Sequence, residues 1–134
     1  MILAVCVDNR LGLSFNNRRL SSDKSVIEDL LQSAGAEAIY VGQYSFSLFQ
    51  NVKGNICVTD SFLKHNDGIC FAEFGDFKAF VGDVQKLIVY KWNRNYPSDC
   101  KFPLELYTSN MSLRSIKEFP GYSHDCITRE EYSR

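Results

Sequence analysis

Six consecutive apolar residues, Ile2 to Val7, end abruptly at Asp8. A strand with one wet face alternates polar and apolar residues, whereas an unbroken run needs cover on both faces. The run therefore predicts a central strand between two layers. That requirement excludes one-sided sheets and points to a layered α/β arrangement. Further runs predict companion strands over 38–41, 55–59, 69–74 and 87–92. Asp8-Asn9-Arg10-Leu11-Gly12 carries turn chemistry, and Ser14 to Arg19 reads as a polar loop.

One amphipathic helix is predicted, from Ser22 to Ala34. Val26, Ile27, Leu30, Leu31 and Ala34 form its apolar stripe, and Gly35 suits the residue after the last turn. Ser21 and Ser22 read as N-caps, with Asp23 in the first turn, where the helix dipole favours a carboxylate. Ser45 to Gln50 suggests one or two helical turns. No element is assigned over 75–85, and Asn93 to Phe102 reads as loop. Ser112 to Phe119 and Cys126 to Tyr132, separated by the Pro120-Gly121 turn, predict a C-terminal antiparallel hairpin. The expected architecture is a mostly parallel central sheet of about six to eight strands with one main helix, in one domain over 1–134.

Composition removes several function classes. Fifteen basic residues face 16 acidic ones, a formal net charge of -1, so no overall basic field draws in nucleic acid or an anionic membrane. Five cysteines, an odd number without a CxxC pair, argue against a disulfide framework and a zinc site. No apolar run reaches the ~18 residues of a membrane span, and MILAVCVD lacks the form of a signal peptide. The expected location is the cytoplasm, with no metal.

Several short motifs in order resemble the dihydrofolate reductase family. VCVDNRLGL matches its first strand and turn, SFNNRRL its mobile loop, and SSDKSVIEDLL its helix bearing a substrate-binding acid. IYVG at 39–42, KLIVYKW at 86–92, Phe102-Pro103 and SHDCITREEY at 123–132 continue the match over nearly the whole chain. The resemblance implies a dihydrofolate reductase-like fold and places Asp23 where the family holds the pterin ring. Gly42-Gln43-Tyr44-Ser45 departs from the family's Gly-Arg-x-Thr. Phe71-Ala72-Glu73-Phe74 replaces its Gly-Gly pair and puts an acid where a phosphate should come. The middle is shorter, and the first loop lacks the usual Trp. These departures argue against NADPH, so no cofactor is expected.

The chain also resembles small bacterial proteins sometimes labelled ribonuclease Z. Enzymes truly of that name use a metallo-β-lactamase fold with an HxHxDH motif. Here the only histidines, His65 and His124, lie outside any such motif, so the two-metal site that hydrolysis needs cannot be built.

Asp23 is the sharpest candidate residue. In a cleft roofed by apolar groups it would have a raised pKa and hold an amidine-like ring or transfer protons. The plainer alternative is that it only complements the helix N-terminus. The second candidate is a polar cluster of Asn16, Asn17, Arg18, Arg19, Arg94, Tyr96, Asp99 and His124, on three loops expected to meet at one end of the sheet. Arg, Tyr and His there suit a phosphate or carboxylate, with His124 a candidate acid–base. Alternatively Arg18, Asp99 and His124 bond one another and lock the loops. KWNRNY at 91–96 interleaves basic and aromatic residues, as single-strand binders do; Trp92 is more simply core, and the net charge argues against nucleic acid.

The expected function is a non-catalytic or regulatory relative of dihydrofolate reductase that binds a small anionic ligand or a protein. An open edge in the terminal hairpin would leave room for a homodimer. One alternative is a reductase or other small-molecule enzyme using Asp23, and another is an RNA-binding or RNA-processing protein. Fold alone decides none of them.

Overall fold

The computed structural model describes residues 1–134. The elements are β1 (Ile2–Val7), β2 (Gly12–Phe15), β3 (Arg18–Arg19), α1 (Lys24–Ala34), β4 (Ile39–Val41), β5 (Ile56–Val58), β6 (Ile69–Phe71), β7 (Lys86–Lys91), β8 (Cys100–Lys101), α2 (Leu104–Thr108), β9 (Ser112–Phe119) and β10 (Ile127–Ser133). Seven strands form the main sheet in the order β5-β4-β6-β1-β7-β10-β9, and β3-β2-β8 form a small second sheet. The first five main-sheet strands pair in parallel, and the pairs β7·β10 and β10·β9 are antiparallel.

The apolar run of β1 lies at the middle of this sheet, with Leu3 beside Cys70 of β6 and Leu87 of β7. Alternate residues serve separate cores, as the two-residue period of a strand requires. Leu3, Val5 and Val7 join Leu87, Val89, Phe77, Phe102 and Tyr107 on one face. Ala4 joins Ile88, Tyr90 and the stripe Val26, Ile27, Leu30 and Ala34 of α1 on the other. No helix is long and apolar enough to cross a membrane.

The helix begins later than the serines suggest. Asp23, with φ -154° and ψ 132°, is itself the N-cap and accepts from the Ser25 N–H, so α1 starts at Lys24. Ser21 and Ser22 precede the cap and make other bonds. At the far end Gly35 adopts φ 59°, and its N–H donates to the Leu31 carbonyl at 3.0 Å.

The expected polar loop at 14–19 is ordered as a β2–β3 hairpin. Phe15 pairs with Arg18, and the two residues between them, Asn16 and Asn17, have φ 53° and 60°. Positive φ at both positions is the type I′ geometry that matches strand twist, and Asn tolerates it better than most residues. The stretch 75–85 holds a 3₁₀ segment, Phe77–Asp83. The expected loop after Trp92 contains β8, and a short helix, α2, that the sequence reading did not anticipate follows Pro103. Tyr107 of α2 donates its hydroxyl to the Phe77 carbonyl at 2.5 Å, which closes this side of the sheet.

Candidate functional site

The turn between β9 and β10 folds over the start of α1 and encloses Asp23. Its Oδ1 accepts from Ser25 N at 2.9 Å, Ser25 Oγ at 2.7 Å and Tyr122 N at 3.0 Å. Its Oδ2 accepts from Ser123 N at 2.9 Å, Ser123 Oγ at 3.1 Å and His124 Nδ1 at 2.9 Å. Gly121 lets the turn come this close, because a Cβ there would lie 2.5 Å from Asp23 Oδ2 and 2.9 Å from the His124 carbonyl.

The consequence for charge is the reverse of the expected one. Burial alone would raise the Asp23 pKa. The Tyr122 N–H, the His124 ring and the N–H groups of Ser25 and Ser123 outweigh it and hold the carboxyl well below the usual range. Asp23 is therefore an ionised, fully sheltered acceptor at neutral pH, and the space beside it is only about 20 Å³. A cavity that small holds about one water.

An ionised carboxylate can only accept, so His124 Nδ1 must carry the hydrogen of that contact. In a neutral ring the other nitrogen, Nε2, is then an acceptor. Two hydroxyls meet it: Ser21 Oγ at 2.8 Å and Tyr96 OH at 3.2 Å. Trp92 stacks on the imidazole, with ring centroids 4.6 Å apart and planes 21° from parallel. Asp23, His124 and Ser21 thus form a continuous chain from a buried carboxylate to a half-buried hydroxyl.

Tyr96 is placed by Asp8, which caps the end of β1. Asp8 accepts from Gly12 N at 2.7 Å, Arg10 N at 2.9 Å and Tyr96 N at 3.0 Å. Burial pushes its carboxyl up, and these three N–H groups, led by that of Tyr96, more than reverse the effect.

Beyond Tyr96 the surface opens. A cleft of about 470 Å³ is lined by Phe15, Asn16, Arg18, Arg19, Leu20, Tyr96 and Pro97. A second, of about 450 Å³, shares Phe15, Tyr96 and Pro97 and adds Arg10, Ser98 and Lys101. Neither wall carries an acidic residue, and Phe15 at their junction is half exposed.

The candidate residues therefore separate into three groups. Tyr96 and His124 meet directly, and Asp23 joins them. Asn16 and Asp99 also meet, since the Asn16 N–H donates to Asp99 Oδ2 at 3.0 Å, and Arg18 lines the cleft without a protein partner. Arg19 lines it too, but its guanidinium is occupied: Nε and Nη2 donate to Glu73 at 2.7 and 2.9 Å, so it is not a free anion clamp. Arg94 is exposed, its side chain makes no hydrogen bond, and only its carbonyl is used, by Asn9 N at 3.0 Å. The expected locking contact among Arg18, Asp99 and His124 does not form.

The sequence reading took Ser21 only as a cap and Asp8 only as a turn residue, and it passed over Asp29 altogether. Asp29 sits inside α1, where it accepts the Tyr90 hydroxyl at 2.5 Å and pairs with Arg129 at 2.9 Å and with Lys117. Its position i+3 from the buried Val26 was the available signal. No group of three or more His, Cys, Asp or Glu side chains is arranged to hold a metal ion.

The parallel sheet with its reversed C-terminal hairpin, and an acid capping the helix that follows the first loop, define the dihydrofolate reductase fold. The particular solved structure it resembles is dihydrofolate reductase from Enterococcus faecalis complexed with NADP(H) and RAB-propyl. The TM-score is 0.65, with 11% sequence identity, covering 100% of this chain and 96% of that one. At this identity the likeness is one of fold. No protein-family model matches the sequence, and no curated protein matches it.

Proposed function

We propose that this chain is a ligand-binding relative of the reductase fold that does not reduce folate, and that its ligand is a small anion attached to a flat or apolar group. The observation carrying this reading is the contrast between the two spaces at the site. The space beside Asp23 is about 20 Å³, while the acid-free cleft at Arg18 and Tyr96 is about 470 Å³.

Asp23 has its lone pairs committed to the chain itself, so an incoming pterin would have to displace several charge-assisted bonds, each worth about 1.5–3 kcal/mol. Glu73 adds support against a phosphate-bearing cofactor held in the family's manner. It follows β6, where the family approaches pyrophosphate, and is fixed there by Arg19 and by Ser45 Oγ at 2.8 Å. An anion beside Glu73 would meet like charge. The cleft offers the opposite environment: the Arg18 guanidinium for a carboxylate or phosphate, and Phe15 and Tyr96 for an apolar body.

Thermal denaturation tests the reading, since a ligand of the folded form alone raises the melting temperature. Benzoyl phosphate analogues and nucleoside monophosphates serve as probes of an anion on a flat ring, with folate and NADPH as controls. The expected result is a rise with the anionic probes that disappears in Arg18→Ala, and none with folate or NADPH. A rise with folate or NADPH that disappears in Asp23→Asn would restore a reductase. A rise with a short RNA that disappears in Arg94→Ala would move the reading to nucleic acid.

A further inference from the structure

We propose that Ser21 is an acyl-accepting nucleophile activated by His124 and Asp23, and that the chain hydrolyses small carboxylic esters bearing a negative charge. The geometry carries the first half. Activation of a serine hydroxyl needs a base nitrogen within hydrogen-bond reach and a third group that fixes the tautomer of that base. Ser21 Oγ lies 2.8 Å from His124 Nε2, and His124 Nδ1 lies 2.9 Å from Asp23 Oδ2. The six acceptor contacts at Asp23 keep it ionised, and Trp92 holds the ring in plane.

Other nucleophiles nearby are poorly placed. Cys6 borders the same small space, but burial, with Glu73 adding to it, pushes its thiol well up and keeps it neutral. Ser123 Oγ lies at 3.2 Å from Nδ1, the nitrogen already turned to Asp23. Ser21 alone among the serines faces the free nitrogen; it borders spaces of only about 20 and 10 Å³, and the 470 Å³ cleft begins at its neighbour Leu20, so an ester reaches Ser21 only if Leu20 moves aside.

The steps balance as an ordinary acyl transfer with water as co-reactant. Ser21 Oγ bonds to the ester carbonyl carbon, the C=O π pair moves onto oxygen, and the hydroxyl proton passes to His124 Nε2. The Tyr96 hydroxyl, 3.2 Å from that nitrogen and on the cleft wall, is the donor placed to meet the oxyanion. Collapse breaks the carbon–oxygen bond to the alcohol, which leaves with the Nε2 proton. Water, deprotonated by the same nitrogen, then releases the acid and restores Ser21. The charge preference rests on the cleft reading above, through Arg18.

The test is a fluorophosphonate probe applied to the full chain, read by intact and peptide mass. The expected result is one adduct, on Ser21, absent in Ser21→Ala and absent from the chain in urea. No adduct, an adduct elsewhere, or equal labelling in urea would overturn the proposal. His124→Gln is expected to slow labelling at least about 100-fold, the usual scale of a positioned base. Because His124 is buried and that variant risks unfolding, Ser21→Ala and the urea control decide the matter.

A second arm compares 4-nitrophenyl acetate with the mono-4-nitrophenyl ester of glutarate. Faster turnover of the charged ester, lost in Arg18→Ala while Ser21 still labels, is expected. Equal turnover of both esters would overturn the charge preference and leave the nucleophile standing. A melting shift with anions but no Ser21 adduct would overturn the nucleophile and leave the cleft reading standing.

Discussion

Arg19 at the end of the β2–β3 hairpin and Glu73 just beyond β6 form a forked ion pair, with contacts of 2.7 and 2.9 Å. The pair joins the small sheet to the main one. The hydrogen bond to Glu73 also raises the already high pKa of Arg19, with burial opposing it. It fixes the cleft wall on one side, as Asp8 fixes Tyr96 on the other. Glu73→Gln is expected to cost about 1–3 kcal/mol by urea denaturation, the scale of a lost charged hydrogen bond. Replacing both residues by apolar ones of similar size is expected to cost less than Glu73→Gln alone, because no charge is stranded.

Acid should unfold the protein partly through Asp23. Its folded pKa is held well below that of an unfolded aspartate near 3.9, so between the two values the unfolded chain binds more protons. Stability from this group is therefore fully present above about pH 4 and is lost as pH falls through the folded value. Unfolding free energy measured between pH 6 and pH 2 is expected to fall with acid. The slope should flatten in Asp23→Asn, whose side chain does not titrate; an unchanged slope would remove Asp23 from the account.

Alkali acts through buried tyrosines on both faces of the sheet. Burial raises the Tyr107 phenol to about 12, and burial with the Glu130 contact raises Tyr132 to about 12. Burial, and then the charge of Asp29, carries Tyr90 higher still. Ultraviolet titration of the seven tyrosines is therefore expected to leave these three un-ionised at pH 11 in the folded chain. Since the folded state holds their protons longer, stability should decline once pH passes the ordinary phenol value near 10.

Asp29 answers for three partners at once. Asp29→Ala leaves the Tyr90 hydroxyl without its acceptor and strips the mostly buried Arg129 of a charge partner, with Glu131 still paired to it, a change expected to cost about 3–5 kcal/mol. Tyr90→Phe removes only one hydroxyl and is expected to cost about 1–2 kcal/mol. Equal effects from the two variants, by chemical denaturation, would mean that the charge pairing contributes little.

The Gly121 and Asn17 positions test backbone fit. Gly121→Ala places a methyl 2.5 Å from Asp23 Oδ2, so the turn must move and stability should fall. Asn17→Gly keeps φ 60° at lower strain and is expected to be neutral or slightly stabilising, whereas Asn17→Val should lose more than about 1 kcal/mol.

The central strands and α1 were legible because hydrophobic period survives any tertiary detail: Ile2 to Val7 and the stripe from Val26 to Ala34 had one reading each. The hairpin at 12–19 was not, since its two turn residues are Asn-Asn without glycine and its second strand is only the pair Arg18-Arg19. Asp23 was picked out as important, but its surroundings come from residues about 100 positions later, Tyr122 to His124. No local pattern reports such a contact. Ser21 was hidden for the same reason, and Arg94, prominent in its motif, is exposed and makes no side-chain hydrogen bond.

The closure of the 121–124 turn on Asp23 gives the chain an internal ligand. Where such an acid holds a dissociable molecule, the stability gained rises and falls with the concentration of that molecule. Here the occupant is tethered by the polypeptide, so its effective concentration is fixed and it does not dilute away. The share of stability that comes through Asp23 should accordingly be insensitive to removing small molecules from the preparation, and competition for Asp23 from outside would have to contend with a partner that never leaves.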